Sequence, residues 1–135
     1  MRILGIDYGT KKIGLAISVN NYIRPLKILN NISGHVVENE NISQIMKLIN
    51  EEYIEVVVIG RNLGYEDSKE YKDFLYNLKQ NIPSHIEINF VDEYKTTDST
   101  KKTMVDAGIA KNKRNLDDSF AAAEILSRYL DSVSD

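Results

Sequence analysis

Asp7, Glu93 and Asp118 are the residues whose type and placement are best suited to chemistry. Asp7 ends a mainly apolar run that begins at Arg2, Glu93 follows Val91 and Asp92 at the end of an alternating stretch, and Asp118 precedes a run of small residues, Ala121-Ala122-Ala123. Carboxylates brought together repel one another and are costly to hold unless a cation sits between them. Their hard oxygens suit Mg²⁺ or Mn²⁺. Two such ions about 3.5–4 Å apart can clamp a phosphodiester, one activating a water and the other stabilising the leaving oxygen. Three acids therefore point to phosphodiester hydrolysis, provided that the fold makes them meet. Each also has an ordinary structural use: Asp7 in starting a turn, Glu93 as a loop carboxylate, Asp118 or its neighbour Asp117 in placing negative charge at a helix N-terminus. Their spacing is no metal motif in itself.

Basic residues accompany the acids. Lys11 and Lys12 sit beside Asp7, while Lys95, Lys101, Lys102, Lys111, Lys113 and Arg114 fill the stretch from Glu93 to Asp118. Near metal-bound acids they would meet a phosphate backbone; equally, they could form a solvated helix face and loop. The 135-residue chain carries 17 basic and 20 acidic residues, net −3, so it has no global basic footprint and a nucleic-acid role has to rest on local charge and bound metal. Tyr8 and Tyr94 could stack on bases or serve in packing. His35 and His85 fall in expected loops and read as structural or surface residues. The absence of cysteine excludes disulfide scaffolds, thiol nucleophiles and Cys-ligated zinc. The start of the chain has no apolar stretch of a secretory signal, and no run of ~18 apolar residues follows, so a cytoplasmic protein without a membrane span is expected.

The positioning elements follow from periodicity. Residues 2–7, 13–19 and 22–30 read as three strands joined by tight turns at Gly9 and at Asn20-Asn21, an antiparallel meander. Gly9 is expected to use positive φ. Pro25 lacks a donor, which marks the third strand as an edge. Ile42, Ile45, Met46 and Ile49 predict an amphipathic helix around 39–52. Residues 54–60 are β-branched and apolar, a strand covered on both faces. Asp67 and Glu70 form a plausible capping box for a helix carrying Tyr71, Phe74, Leu75 and Leu78, closed by Pro83. Residues 86–91 alternate as a fifth strand. Thr96 or Thr97 could cap a short helix ending at Ala107-Gly108, and a last helix from about 117 to 131 would turn Leu116, Phe120, Ala123 and Leu130 inward. A meander followed by alternating helices and strands implies an α/β fold: one mixed sheet, a three-stranded antiparallel meander plus two parallel strands, with helices on both faces and within one domain over 1–135.

The run from Asp7 through Tyr8-Gly9-Thr10-Lys11-Lys12-Ile13-Gly14-Leu15 to Ala16 resembles the opening signature of the YqgF/RuvX family, D-[FY]-G-x-[KR]-x-[IV]-G-[VL]-A. Arg24-Pro25-Leu26, the strand Val56 to Gly60, Asp92-Glu93 with Thr96-Thr97, and Asp118 with Ala121-Ala122, Ile125-Leu126 and Tyr129-Leu130 resemble later motifs in order. The resemblance covers nearly all of 1–130. It implies a ribonuclease H-like fold and a metal-dependent nuclease that trims the 5′ end of pre-16S ribosomal RNA, with Mg²⁺ or Mn²⁺ held by Asp7, Glu93 and Asp118. Counting back from Ile125-Leu126 selects Asp118 over Asp117. It also leaves open a resolvase acting on branched DNA, for which a homodimer rather than a monomer would suit paired cuts. A non-catalytic nucleic-acid-binding module is compatible with the same residues. So is an ATP-binding protein, since Asp-x-Gly-Thr also opens the phosphate hairpin of the actin and sugar-kinase superfamily. The chain departs from the family pattern in having Tyr94 where Arg follows Asp-Glu, Gly60-Arg61-Asn62 where Gly-Leu-Pro follows the central strand, and no acid near Val19-Asn20.

Overall fold

The computed structural model describes residues 1–9, 11–31, 35–61, 68–92 and 117–133, with the backbone alone at 35–38 and 117–119. The strands are β1 (Arg2–Tyr8), β2 (Lys12–Val19), β3 (Tyr22–Asn30), β4 (Val56–Arg61) and β5 (Glu87–Asp92). The helices are α1 (His35–Glu51), between β3 and β4, α2 (Lys69–Asn81), between β4 and β5, and α3 (Asp117–Val133). The expected helix between 96 and 108 lies outside the described residues, as does Leu116.

The sheet has the order β3-β2-β1-β4-β5. β1 pairs antiparallel with β2, and β2 with β3, while β4 runs parallel to both β1 and β5. This is the expected meander extended by two parallel strands. Asn20 (φ 52°) and Asn21 (φ 70°) both take the left-handed conformation, the pair of positive φ angles that matches a two-residue turn to the twist of its strands. Pro25 does lie on an edge strand. The β2–β3 register shifts between Leu15, opposite Lys27, and Ala16, opposite Pro25, so Leu26 is the extra residue of a bulge. A bulge on an edge is where a residue without an N–H is tolerated.

Helices cover both faces. On one, Leu4, Ile6, Tyr8, Leu15 and Ile17 pack with Ile42, Ile45 and Ile49 of α1 and with Tyr71, Phe74 and Leu78 of α2. On the other, Ile3, Ala16, Val56 and Val58 pack with Ala122, Ile125, Leu126 and Tyr129 of α3. Val56 to Gly60 are buried throughout, as their unbroken apolar run requires.

Three local expectations are corrected. α1 begins at His35 rather than near 39, so His35 opens a helix instead of lying in a loop. α2 is capped by Ser68, in extended conformation, whose Oγ accepts from the Tyr71 N–H at 3.2 Å, while Asp67 lies outside the described residues. The buried face of α3 is Phe120, Ala122, Ile125, Leu126 and Tyr129; Ala123 and Leu130 are only half-buried at its margin. Pro83 follows α2 as expected, one residue after its C-cap Ile82.

Candidate active site

β1, β4 and β5 are parallel, so their carboxyl ends, Tyr8, Arg61 and Asp92, reach one edge of the sheet. β1 is also where the sheet changes direction, with antiparallel β2 on one side and parallel β4 on the other. Crevices at strand carboxyl ends beside such a switch are where open α/β sheets bind ligands.

Asp7 stands at that point, half-buried and in register with Gly14 of β2. Side chains alternate along a strand, so Asp7 shares the face of Ile3 and Gly5, which is the face covered by α3. Gly5, Gly14 and Ala16 keep this face low, and α3 comes correspondingly close. A Cβ at Gly5 would lie 2.7 Å from Leu126 Cγ and 3.0 Å from the Ala122 carbonyl oxygen. From that contact, Asp7 is two strand residues away, about 7 Å. Asp118 is one helical turn before Ala122, about 6 Å along the axis. The fold thus sets the backbone positions of Asp7 and Asp118 close to one contact between β1 and α3.

The turn after Asp7 is fastened from β3. Asn31 Nδ2 donates to the Gly9 carbonyl at 2.7 Å, and the Asn31 N–H donates to the Lys11 carbonyl, also at 2.7 Å. Gly9 is required for a different reason from the one expected. Its φ is not in the left-handed region; a Cβ there would instead lie 2.6 Å from the Lys12 carbonyl oxygen. Lys11 and Lys12 are exposed at this end of the hairpin, and alternation along β2 puts Lys12 on the face of Gly14 and Asp7.

Asp92, the last residue of β5, is held by two arginines. Arg61 Nη2 lies 3.1 Å from Asp92 Oδ1, and Arg128 Nη1 of α3 donates to the Asp92 carbonyl at 3.3 Å. Arg128 also lies 3.5 Å from Glu124, one turn earlier. These contacts fix where the chain leaves β5 for Glu93. Asn31, Arg61 and Arg128 were not recognisable as positioning residues from type alone; the one sequence signal is the i, i+4 spacing of Glu124 and Arg128.

Glu93, Tyr94, Lys95, Lys101, Lys102, Lys111, Lys113 and Arg114 lie outside the described residues, and Asp118 is described by its backbone. Asp7 is therefore the one proposed metal ligand whose side chain is described, and among the described residues no group of three His, Asp or Glu could hold a metal. Tyr8 is not a stacking platform: it is 5% exposed, with its ring centroid 4.8 Å from Phe74 and 5.5 Å from Tyr71. His85 is exposed in the turn before β5. A groove of about 420 Å³ lined by Ile49, Tyr53, Ile54 and His85 lies at the opposite edge of the sheet from Asp7, where β4 and β5 begin. Among the described residues no helix is long and apolar enough to cross a membrane.

A family model described as RuvX, Holliday junction resolvase, matches residues 1–132. The chain is 37% identical over 139 residues to a protein of Sulfurihydrogenibium sp. named "Putative pre-16S rRNA nuclease", covering 98% of this chain and 92% of that one. Among solved structures, T. thermophilus RuvC in complex with a Holliday junction substrate aligns with a TM-score of 0.66 at 13% identity, over 99% of this chain and 97% of that one. Fowlpox virus resolvase in complex with substrate Holliday junction DNA aligns with a TM-score of 0.64 at 15% identity, over 100% of both chains. At such identities the structural likeness speaks for the fold, which is ribonuclease H-like, as the opening motif implied.

Proposed function

Because this chain belongs to the RuvX family, we propose that it is a nuclease, hydrolysing phosphodiester bonds at the 5′ end of precursor 16S ribosomal RNA. One observation supports the reading: Asp7 lies at the carboxyl end of the central strand on the face that α3 covers, two residues along β1 from the close approach of Gly5 to Ala122 and Leu126, and Asp118 precedes Ala122 by one turn. Glu93 joins them in sequence, directly after Asp92 at the same edge.

The donor set fits a hard divalent cation. It consists of carboxylates, Asp7 is half-buried, and cysteine and clustered histidine are absent. Asp7, Glu93 and Asp118 would hold Mg²⁺ or Mn²⁺, which when bound supplies a low-pKa water and charge stabilisation for the departing oxygen. The protein's own part is positional. Asn31 holds the turn after Asp7, the two arginines on Asp92 hold the origin of the segment carrying Glu93, and the small residues under α3 let it lie close to the sheet at Ala122 and Leu126. Lys11 and Lys12, with Lys95, Lys101, Lys111, Lys113 and Arg114, would hold the phosphate backbone on either side of the scissile bond. The 1–135 chain would act as one nuclease domain in the cytoplasm, where ribosomal precursors of bacteria are processed, as a monomer or a homodimer.

The family description favours a second reading, cleavage of branched DNA by the same acids. The two separate in one assay. A pre-16S 5′-leader RNA and a four-way DNA junction are offered side by side, with Mg²⁺ or Mn²⁺, to wild type and Asp7→Asn. Cleavage of the leader, reduced at least ~100-fold in Asp7→Asn without a change in circular dichroism, is the expected result. Equal rates for the two proteins would remove Asp7 from the site. Paired cuts in the junction with an untouched leader would establish the second reading.

A further inference from the structure

The outward side of α2 is divided by charge. With 100° per residue, buried Tyr71, Phe74 and Leu78 mark its inner face. On one flank the positions i, i+3, i+7 and i+10 are Lys69, Lys72, Tyr76 and Lys79; on the other lie Glu70 and Asp73. All six are exposed, and Tyr76 keeps 65% of its surface in solvent. The basic flank lies on the β5 side, because Lys79 Nζ is 5.4 Å from the Phe90 ring centroid. Arg61 Cζ, at the end of β4, is 5.8 Å from the same ring. The flank thus runs into the edge where β5 leads to Glu93.

Charge and shape select what would bind here. Among the described residues none of the three lysines is in an ion pair. Arg61 is paired with Asp92 through Nη2, and its side chain is over 40% exposed, so its other N–H groups can meet a phosphate while that pair holds. Exposed cations around an exposed aromatic ring match a single nucleic-acid strand, whose phosphates take the cations and whose bases have π faces. Glu70 and Asp73 would repel the same backbone, which leaves it one side of the helix. The run from Lys69 to Lys79 is about 15 Å long, enough for several nucleotides.

We propose that Lys69, Lys72, Tyr76 and Lys79 of α2, continued by Arg61, form a track for the single strand flanking the cleavage position, with Tyr76 stacking on a base. The proposal takes its substrate class from the nuclease reading. It does not discriminate RNA from DNA, since phosphates and base faces are common to both.

Fluorescence anisotropy of short labelled single strands of RNA and DNA, in chelator and over a salt series, tests the track apart from cleavage. Lys72→Ala and Lys79→Ala are each expected to lower the salt slope of the binding constant by about 0.7. Tyr76→Ala is expected to weaken binding roughly 5- to 150-fold. The Glu70→Gln/Asp73→Asn variant should bind at least as tightly as wild type. Loss of binding in the flank variants, alike on RNA and DNA and with melting temperatures unchanged, supports the track. Binding equal to wild type in all three overturns it and leaves the nuclease reading standing if the leader is still cut. Weakened binding by the flank variants, with no cleavage by wild type, supports the track and overturns the nuclease reading instead.

Discussion

Tyr129 sits where α3 crosses β5, and its hydroxyl accepts from Asn89 Nδ2 at 3.3 Å. Burial, and next the Glu87 carboxylate, raise its pKa above the ordinary 10.0, against a smaller opposing pull from the Asn89 hydrogen bond. The protonated phenol is thus favoured in the folded state. Below about pH 10 the folded and unfolded chains are both protonated here; above it the unfolded chain loses the proton first, so stability falls as pH rises through the folded pKa. Tyr129→Phe should flatten that alkaline decline, read as the urea midpoint between about pH 9 and pH 11. Parallel curves for the two proteins would mean that Tyr129 is solvated. At this scale the sequence was informative where a residue's chemistry conflicts with its surroundings: Asp7 at the end of an apolar strand is such a conflict. Tyr8 offered none, since an aromatic beside an acid suits a base stack and a core equally, and only its ring contacts with Tyr71 and Phe74 decide. Gly9 showed that a special position was needed but not why. The crowding by the Lys12 carbonyl depends on how the hairpin closes.

The docking of α3 depends on Gly5. An added methyl would meet Leu126 Cγ and the Ala122 carbonyl, buried atoms that cannot swing away as the end of a flexible side chain could. Gly5→Ala should therefore destabilise by about 1–3 kcal/mol, seen as a lower denaturant midpoint at unchanged m-value. Activity on the leader RNA should fall too, because the same shift carries the first turn of α3, and Asp118 with it, off the sheet. An unchanged midpoint would show that α3 is not packed this closely. Elements were legible where periodicity is strong. The five strands were read to within two residues at either end, and Pro25 announced its edge. Boundaries chosen by backbone geometry were not: Asp67 and Ser68 can both accept a helix N–H, and the extended conformation at Ser68 settles which one does. On α3 the Ala123–Leu130 and the Ala122–Ile125–Leu126–Tyr129 stripes are both apolar, and the close approach at Gly5 chooses the second.

At the scale of the molecule, the three acids belong to different layers. Asp7 is in the sheet, Asp118 is in the helix on one face, and Glu93 heads the segment that leaves β5. No spacing rule along the chain could unite them; the proposed site would bring them together through parallel strands that end at one edge and through α3 covering the face of Asp7. A cation held by all three would bind the folded chain and not the unfolded one, and so would pin α3 to the sheet. Mass action then gives about 2.7 kcal/mol of stabilisation at a hundredfold excess of ion over its dissociation constant. For a domain of this size that is roughly a 10 °C rise in melting temperature. Mn²⁺ or Mg²⁺ should raise the melting temperature of wild type toward that value, and chelator should reverse it. Asp7→Asn and Asp118→Asn, each missing a ligand, should lose most of the rise, and their melting temperatures in chelator should equal or exceed that of wild type, because one charge of a repelling cluster is gone. A full rise in Asp7→Asn would place the ion elsewhere on the surface, and with it the origin of any metal-dependent cleavage.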